Sequence, residues 1–313
     1  MAFKTILFEA LAAVTSLLAL PAFVHGQIFV ANTPNGEGRP GAVSEFTTSG
    51  ATVQAPLISV PGVVESIAVS GTNLFVTEVN PLNANWAIGE YTTSGVTVNA
   101  SLITGPDSPP RVLVSGSNLF LLSSNGVAGT ISEYTTSGSL VNPSLIPGLG
   151  LSTATVSGGN LFVLDGSAGT VAEYSTSGVL INPSVVTGLI NAYDTAVSGS
   201  NLYVLDAYGT IGKYTTSGVT VNASLISGLG GPYSLAAYGE NLFLASDPPY
   251  IQQKSFVDSI LEFTTSGVLV NLKLVGGLSG AGAIAVVPEP STLVLAAFGF
   301  IGLAAWGWRR RKR

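Results

Sequence analysis

The 313-residue chain has no cysteine, one methionine and one histidine. Without thiols there is no disulfide framework, no thiolate nucleophile and no thiolate-held iron–sulfur cluster. His25 falls in a segment read below as a removable leader. Zinc sites built on His or Cys, and Ser-His-Asp triads, are therefore excluded from the working chain. Charge is scarce as well, at 9% of residues against 46% hydrophobic, so this is not a disordered polyelectrolyte. The length suits one large β domain or two ordinary ones. What charge there is is acidic: segment 27–289 holds sixteen acidic and five basic residues, a net charge near −11. That balance opposes nucleic acid and anionic lipid as partners.

Both ends read as address labels. In Met1 to Gly26, Lys4 precedes an apolar run, Ala10–Phe23, broken by Thr15, Ser16 and Pro21; Gly26 places a small residue before Gln27. This pattern predicts a signal helix cut by signal peptidase before Gln27. Export leads to an oxidising compartment, and with no cysteine to use it, stability must come from packing. At the other end Pro288-Glu289-Pro290 is followed by the apolar segment Thr292–Trp308 and then by Arg309, Arg310, Arg311, Lys312 and Arg313. As a helix this apolar segment would span about 25 Å, the short limit for crossing a bilayer. Trp306 and Trp308 stand where an aromatic belt would lie, and the basic cluster should remain cytoplasmic. The two prolines keep the preceding backbone extended, as a protease-readable site requires.

The triplet, the single hydrophobic span and the Arg-rich end together resemble the PEP-CTERM sorting signal of Gram-negative bacteria that make extracellular polysaccharide. The resemblance implies recognition of Pro288, Glu289 and Pro290 by an exosortase-type membrane protease. The protein would first be anchored in the inner membrane by its C-terminal transmembrane helix. It would then be released or transferred to the cell envelope, surface or extracellular matrix.

Between the ends one unit recurs. Glu-(Phe/Tyr)-(Thr/Ser)-Thr-Ser-Gly begins at Glu45, Glu90, Glu133, Glu173 and Glu262, with Lys213 in place of Glu in the fifth of six copies. A second string, Gly-x-Asn-Leu-(Phe/Tyr)-(Val/Leu), begins at Gly71, Gly116, Gly158, Gly199 and Gly239. Steps of 40 to 49 residues fit a propeller blade better than a leucine-rich coil, and nothing helical lies inside the unit. A β-helix would use shorter repeats and lack the regular hairpin turn.

Each unit resolves into four strands, A to D. In the fourth, Ala154–Val156 is A, Asn160–Leu164 is B, Thr170–Tyr174 is C, and Val179–Asn182 begins D. Strand B is apolar without alternation, as a sheet covered on both faces requires. Strand D alternates, as in Val96-Thr97-Val98-Asn99, and suits an outer edge; Pro56, Pro143 and Pro183 would blunt pairing there. Ser-Gly is the C–D hairpin turn. Ile28–Ala31 supplies a B strand with no A strand before it, and Ala283–Val287 supplies an A strand after the last D. Joining them predicts an all-β fold: a six-bladed β-propeller of four-stranded blades, closed by its termini. The chain then divides into a signal over 1–26, the propeller over 27–287 and the sorting signal over 288–313. The central segment resembles six-bladed NHL-like propellers and lacks the Gly-His and Trp-Asp marks of WD40 blades.

For chemistry, the fifth residue after each strand-B asparagine is Glu78, Ser123, Asp165, Asp206 or Ser246, with Asp247 one place on. Glu78, Asp165 and Asp206 could face the channel and hold calcium through oxygen ligands. The competing reading is that Asp and Ser end strands by bonding local amides. The repeated glutamate is expected on a solvated blade face or in an interblade groove, in a structural role. Its aromatic neighbour (Phe46, Tyr91, Tyr134, Tyr174, Tyr214 or Phe263) is expected in the interblade core. No catalytic residue and no cofactor is assigned. The function expected is a non-catalytic module binding polysaccharide or a surface protein. The alternative is a lactonase-like hydrolase using a divalent metal held by Glu, Asn and Asp. A converging, asymmetric cluster of those residues at the channel mouth would favour the enzyme.

Overall fold

The computed structural model describes residues 26–32, 40–106, 108–124, 128–150, 152–246, 258–278 and 280–287. The expected signal over 1–26, but for Gly26, and the expected sorting signal over 288–313 lie outside them. Among the described residues no helix is long and apolar enough to cross a membrane. Their strands form six antiparallel sheets of four. From the axis outward, blade 1 is β24 (Ala281–Val287), β1 (Gln27–Asn32), β2 (Gly41–Thr47) and β3 (Thr52–Val60). Blade 2 is β4 (Val63–Ser70), β5 (Asn73–Val79), β6 (Trp86–Thr92) and β7 (Thr97–Gly105). Blade 3 is β8 (Arg111–Ser115), β9 (Asn118–Ser124), β10 (Gly129–Thr135) and β11 (Leu140–Leu149). Blade 4 is β12 (Ser152–Ser157), β13 (Asn160–Asp165), β14 (Thr170–Ser175) and β15 (Leu180–Val186). Blade 5 is β16 (Ala192–Ser198), β17 (Asn201–Asp206), β18 (Ile211–Thr215) and β19 (Thr220–Ile226). Blade 6 is β20 (Pro232–Tyr238), β21 (Asn241–Ser246), β22 (Asp258–Thr264) and β23 (Leu269–Leu278).

The unbroken apolar run of strand B follows from what each face meets. In β13, Leu161 and Val163 enter a cluster with Phe120 and Ile131 of blade 3. Phe162 and Leu164 enter another with Leu202 and Tyr214 of blade 5. Alternate residues therefore serve opposite neighbours, and neither face is left for water. The core is accordingly divided among six clusters, each shared by two adjacent blades. The cluster of blades 6 and 1 joins Phe243 and Ile260 to Ile28, Phe46 and Ile284. Blade 1 is itself built from both ends of the unit, since β24 pairs with β1 from Gln27↔Val287 to Asn32↔Ala281.

Polar side chains tie the sheets internally. The amide of Asn73 donates to Glu90 at 2.9 Å; Asn118–Glu133, Asn160–Glu173 and Asn241–Glu262 repeat the bond at 2.7, 2.7 and 2.8 Å. Gln27 takes the asparagine's place opposite Glu45. The glutamates are thus not on a solvated face: Glu45, Glu133 and Glu262 are buried. Burial raises the Glu45 and Glu262 carboxyls above the usual value, and the Gln27 bond partly offsets this at Glu45. In blade 5, Lys213 instead donates to the Thr265 carbonyl of blade 6 at 2.9 Å, with its ammonium over the Tyr203 ring.

The Thr-Thr-Ser-Gly turn links each blade to the one before it. In blade 2, Thr92 Oγ1 accepts from the Val96 amide at 3.0 Å, and Gly95 has φ of 84°. A Cβ on Gly95 would lie 2.8 Å from the Leu57 carbonyl oxygen of blade 1. The other five turn glycines meet a D-strand carbonyl in the same way, Gly50 closing the circle on Leu274. The D strands form the outer edge, with Val53, Val96, Val141, Ile181, Val221 and Val270 among the exposed apolar side chains there or beside it. Asn99, Asn142, Asn182, Asn222 and Asn271 each accept from the amide two residues on, which satisfies one donor per D strand and leaves a bulge.

Gly95→Ala is expected to cost about 2 kcal/mol or more in urea unfolding, because backbone strain adds to the contact with Leu57. Gly71→Ala, also left-handed but with nothing within 4 Å of its Cβ, should cost only about 1 kcal/mol. Equal losses would show that close approach contributes nothing. Glu262→Gln tests the buried pair through pH. Because the folded pKa is raised, the carboxyl's contribution is complete below the unfolded value near 4.5 and is lost as pH rises through the folded one. The variant's deficit relative to the parent should therefore be larger at pH 4 than at pH 7, as read by thermal melts.

Candidate functional site

The A strands line a cavity of 290 Å³ along the ring axis. Pairing with strand B brings Ala283, Ser66, Arg111, Thr153, Asp194 and Ser234 to one level. They lie towards the end where the B–C and D–A loops emerge. Unlike the hairpin turns, this level differs from blade to blade: one cation, one carboxylate, three hydroxyls and one methyl.

Its members latch neighbouring blades. Ser66 Oγ accepts from the Val112 amide at 3.1 Å, and Arg111 Nη1 donates to Thr153 Oγ1 at 3.1 Å. Asp194 Oδ2 accepts from the Leu235 amide at 2.8 Å, and Oδ1 from its neighbour Thr195 at 2.9 Å. Arg111 and Asp194 also form an ion pair at 3.7 Å between blades 3 and 5. Asp194 is buried, whereas the Arg111 side chain is 47% exposed towards the channel. Burial raises the Asp194 carboxyl's pKa most strongly, while the Arg111 charge, the two amides and Ser234 oppose it. Beside it the Tyr193 hydroxyl donates to the Pro232 carbonyl; burial and the Asp194 charge hold that phenol far above its usual value.

The proposed calcium ligands do not meet. Asp165 accepts from the amides of Ser167, Ala168 and Gly150 and from the Ser167 hydroxyl. Burial alone would raise its pKa, but these four donors bring it below the usual value. Asp206 accepts from the amides of Tyr208 and Thr210. Both carboxylates therefore shape the turns that follow their strands. Ser246 is fully buried and donates to the Gly230 carbonyl, and Ser123 lies near the end of β9. Glu78 differs: its Oε2 is sealed from solvent without a partner. Burial raises its pKa, with the Gly62 amide pulling the other way. Among the described residues no three Asp, Glu, His or Cys side chains gather to hold a metal ion, and Asp247 lies outside them. The channel mouth is asymmetric, as sought for an enzyme, but its chemistry is Arg, Asp, Ser and Thr.

Sequence reasoning missed the channel level because the A strands carry no repeated string. It also missed Gln27, whose signal was Ile28-Phe29-Val30 standing where Leu-Phe-Val follows asparagine elsewhere.

Comparison with known proteins bears on the two parts separately. Residues 286–312 match the PEP-CTERM protein-sorting motif. The motif marks an exported chain that is anchored at the membrane for sorting by an exosortase-type system. No curated protein matches the chain. Among solved structures, a chain of the nidogen/laminin complex is 14% identical with a TM-score of 0.64, covering 84% of this chain and 99% of that one. TolB from Acinetobacter baumannii is 11% identical with a TM-score of 0.63, over 83% of this chain and 65% of that one. A candidate 6-phosphogluconolactonase from Bacteroides fragilis is 13% identical with a TM-score of 0.56, over 86% and 99%. At such identities the likeness establishes the propeller fold alone.

Asp194→Ala strands the Leu235 amide and leaves Arg111 without its counter-charge. Urea unfolding should show a loss of about 3–5 kcal/mol. Asp165→Ala, which releases solvent-accessible turn amides, should cost about 1 kcal/mol. A similar loss for both would argue against a buried latch at Asp194.

Proposed function

We propose that the propeller is a non-catalytic binding module of the cell surface or extracellular matrix, with a polysaccharide as its ligand and exosortase-type sorting as its route. One observation carries the reading. The repeated polar side chains are committed to bonds within the ring, and what each blade turns outward is almost uncharged. The six D strands carry Thr, Asn, Ser, Val and Leu, with Lys273 their single charged residue. Hydroxyls and amides of this kind exchange hydrogen bonds with a hydroxylated polymer at little desolvation cost. Six similar outward edges allow weak contacts to add through one polymer chain. The sorting motif supports the same setting. A surface protein as ligand, or a divalent-metal lactonase, would be the competing reading.

Co-sedimentation of the full chain with extracellular polysaccharide from the producing cells tests the ligand. Retention that survives 0.5 M salt, on the order of the ionic strength that screens surface charge, is expected. A chain that ignores the polysaccharide but opens a δ-lactone when calcium or manganese is added would replace this reading with the hydrolase. The route is tested by replacing Pro288, Glu289 and Pro290 with alanine and following cell fractions. The variant should remain unprocessed in the inner membrane; unchanged size and destination would remove the exosortase from the account.

A further inference from the structure

Blade 2 departs from the repeat where β5 passes to β6. A six-residue loop, Asn80–Asn85, folds back on itself: the Asn80 amide donates to the Asn85 carbonyl at 2.8 Å and the Ala84 amide to the Asn80 carbonyl at 2.9 Å. The side chains of Asn80 and Asn83 accept from the Leu82 and Asn85 amides. Ala84 is held at φ of 55°, a conformation that costs a non-glycine residue about 1–2 kcal/mol. The loop is therefore a built feature, and it walls a cavity of 790 Å³, within the roughly 300–1,000 Å³ typical of ligand pockets.

The lining combines three kinds of group. Trp86 forms one wall; its indole N–H is fixed to the Pro106 carbonyl at 3.0 Å, and Gly105 leaves the room it occupies, since a Cβ there would lie 2.4 Å from the ring. Pro61, Pro81 and Pro106 add apolar surface. Glu78 supplies a carboxylate whose Oε2 is sealed and unpartnered, and such an oxygen is stabilised by any donor that reaches it. Among the described residues no cation lines the cavity.

We infer that this cavity is a binding site for one or two neutral sugar units, with the apolar C–H face of a pyranose ring against Trp86 and a hydroxyl donating to Glu78. An anionic sugar would bring its charge towards an unneutralised carboxylate, and a purely apolar ligand would leave Oε2 without a donor. A neutral sugar satisfies both walls. The inference rests on the polysaccharide reading above and places it at one blade.

Trp86 is the ring's own reporter, since the other two tryptophans, Trp306 and Trp308, belong to the tail. Full-length chain in detergent would be titrated with cellohexaose, laminarihexaose, mannohexaose, oligogalacturonate and chitosan hexamer, following tryptophan fluorescence and calorimetric heat. At least one neutral hexasaccharide should bind. Glu78→Gln, which keeps shape and folding, should weaken it about tenfold, as expected for a hydrogen bond to a charged acceptor. Trp86→Ala should weaken it at least as much, with circular dichroism and melting temperature confirming the fold. Tighter binding of the chitosan amine or of oligogalacturonate would overturn the ligand class. If the producing cells' polysaccharide binds Trp86→Ala and Glu78→Gln as well as it binds the parent, this site is wrong while the broader reading stands. If neither oligosaccharides nor that polysaccharide bind the parent, both readings fall.

Discussion

Everything in the ring depends on one constraint: each sheet is apolar on both faces, so only another sheet can cover it. A helix-backed sheet or a two-layer sandwich leaves an outer face for water, and the unbroken Leu-Phe-Val-Leu of β13 has no face to give. A linear stack would move the difficulty to its ends. The cluster between blades 6 and 1 contains eleven buried residues. At about 1.5–3 kcal/mol for each large side chain fully covered, an exposed pair of end faces costs on the order of the whole net stability of a domain. Closure is therefore required for folding, and the split of blade 1 between the two ends of the unit is how this chain achieves it.

The polar framework answers a second requirement, that blades stand at a set distance and angle. Asn–Glu bonds fix strand B to strand C within a blade, and the turn glycines let each hairpin approach the carbonyl of its neighbour. These devices act at different scales, and both recur with the repeat. Lys213 shows that the pattern has some freedom: where Glu is replaced, the longer cationic side chain reaches the next blade's Thr265 carbonyl and replaces an internal bond with an interblade one. Buried glutamates carry a desolvation cost at neutral pH, which the amide of asparagine or glutamine offsets only in part.

This also explains how much could be read in advance. Strand order, blade count and the clasp were legible because they are written six times, so an error in one copy is corrected by the others. The burial of Glu45, Glu133 and Glu262 was not, since the glutamate and its amide partner belong to separate strings, and only the strand register brings them together. Asp165 and Asp206 occupy equivalent places yet point into their own turns, a matter of side-chain rotation that residue type does not decide. The channel level was hidden for the opposite reason: Ser66, Arg111, Thr153 and Asp194 share a position but no chemistry. The blade 2 cavity was hidden because its loop occurs once.

Symmetry and function therefore separate in this chain. The repeated residues hold the ring, while the residues that differ — Arg111 and Asp194 in the channel, Glu78 and Trp86 in blade 2 — give it distinct surfaces. The clasp adds a constraint on processing. The sorting-motif match begins at residue 286, inside β24, and that strand supplies every backbone pair holding β1 from its axial side. Cleavage beyond Val287 leaves those pairs intact, whereas cleavage before Ala281 would remove the inner strand of blade 1 and uncover the clusters on both of its faces. Sorting can free the ring from its tail only if the cut falls on the far side of the last strand, which is where Pro288, Glu289 and Pro290 stand.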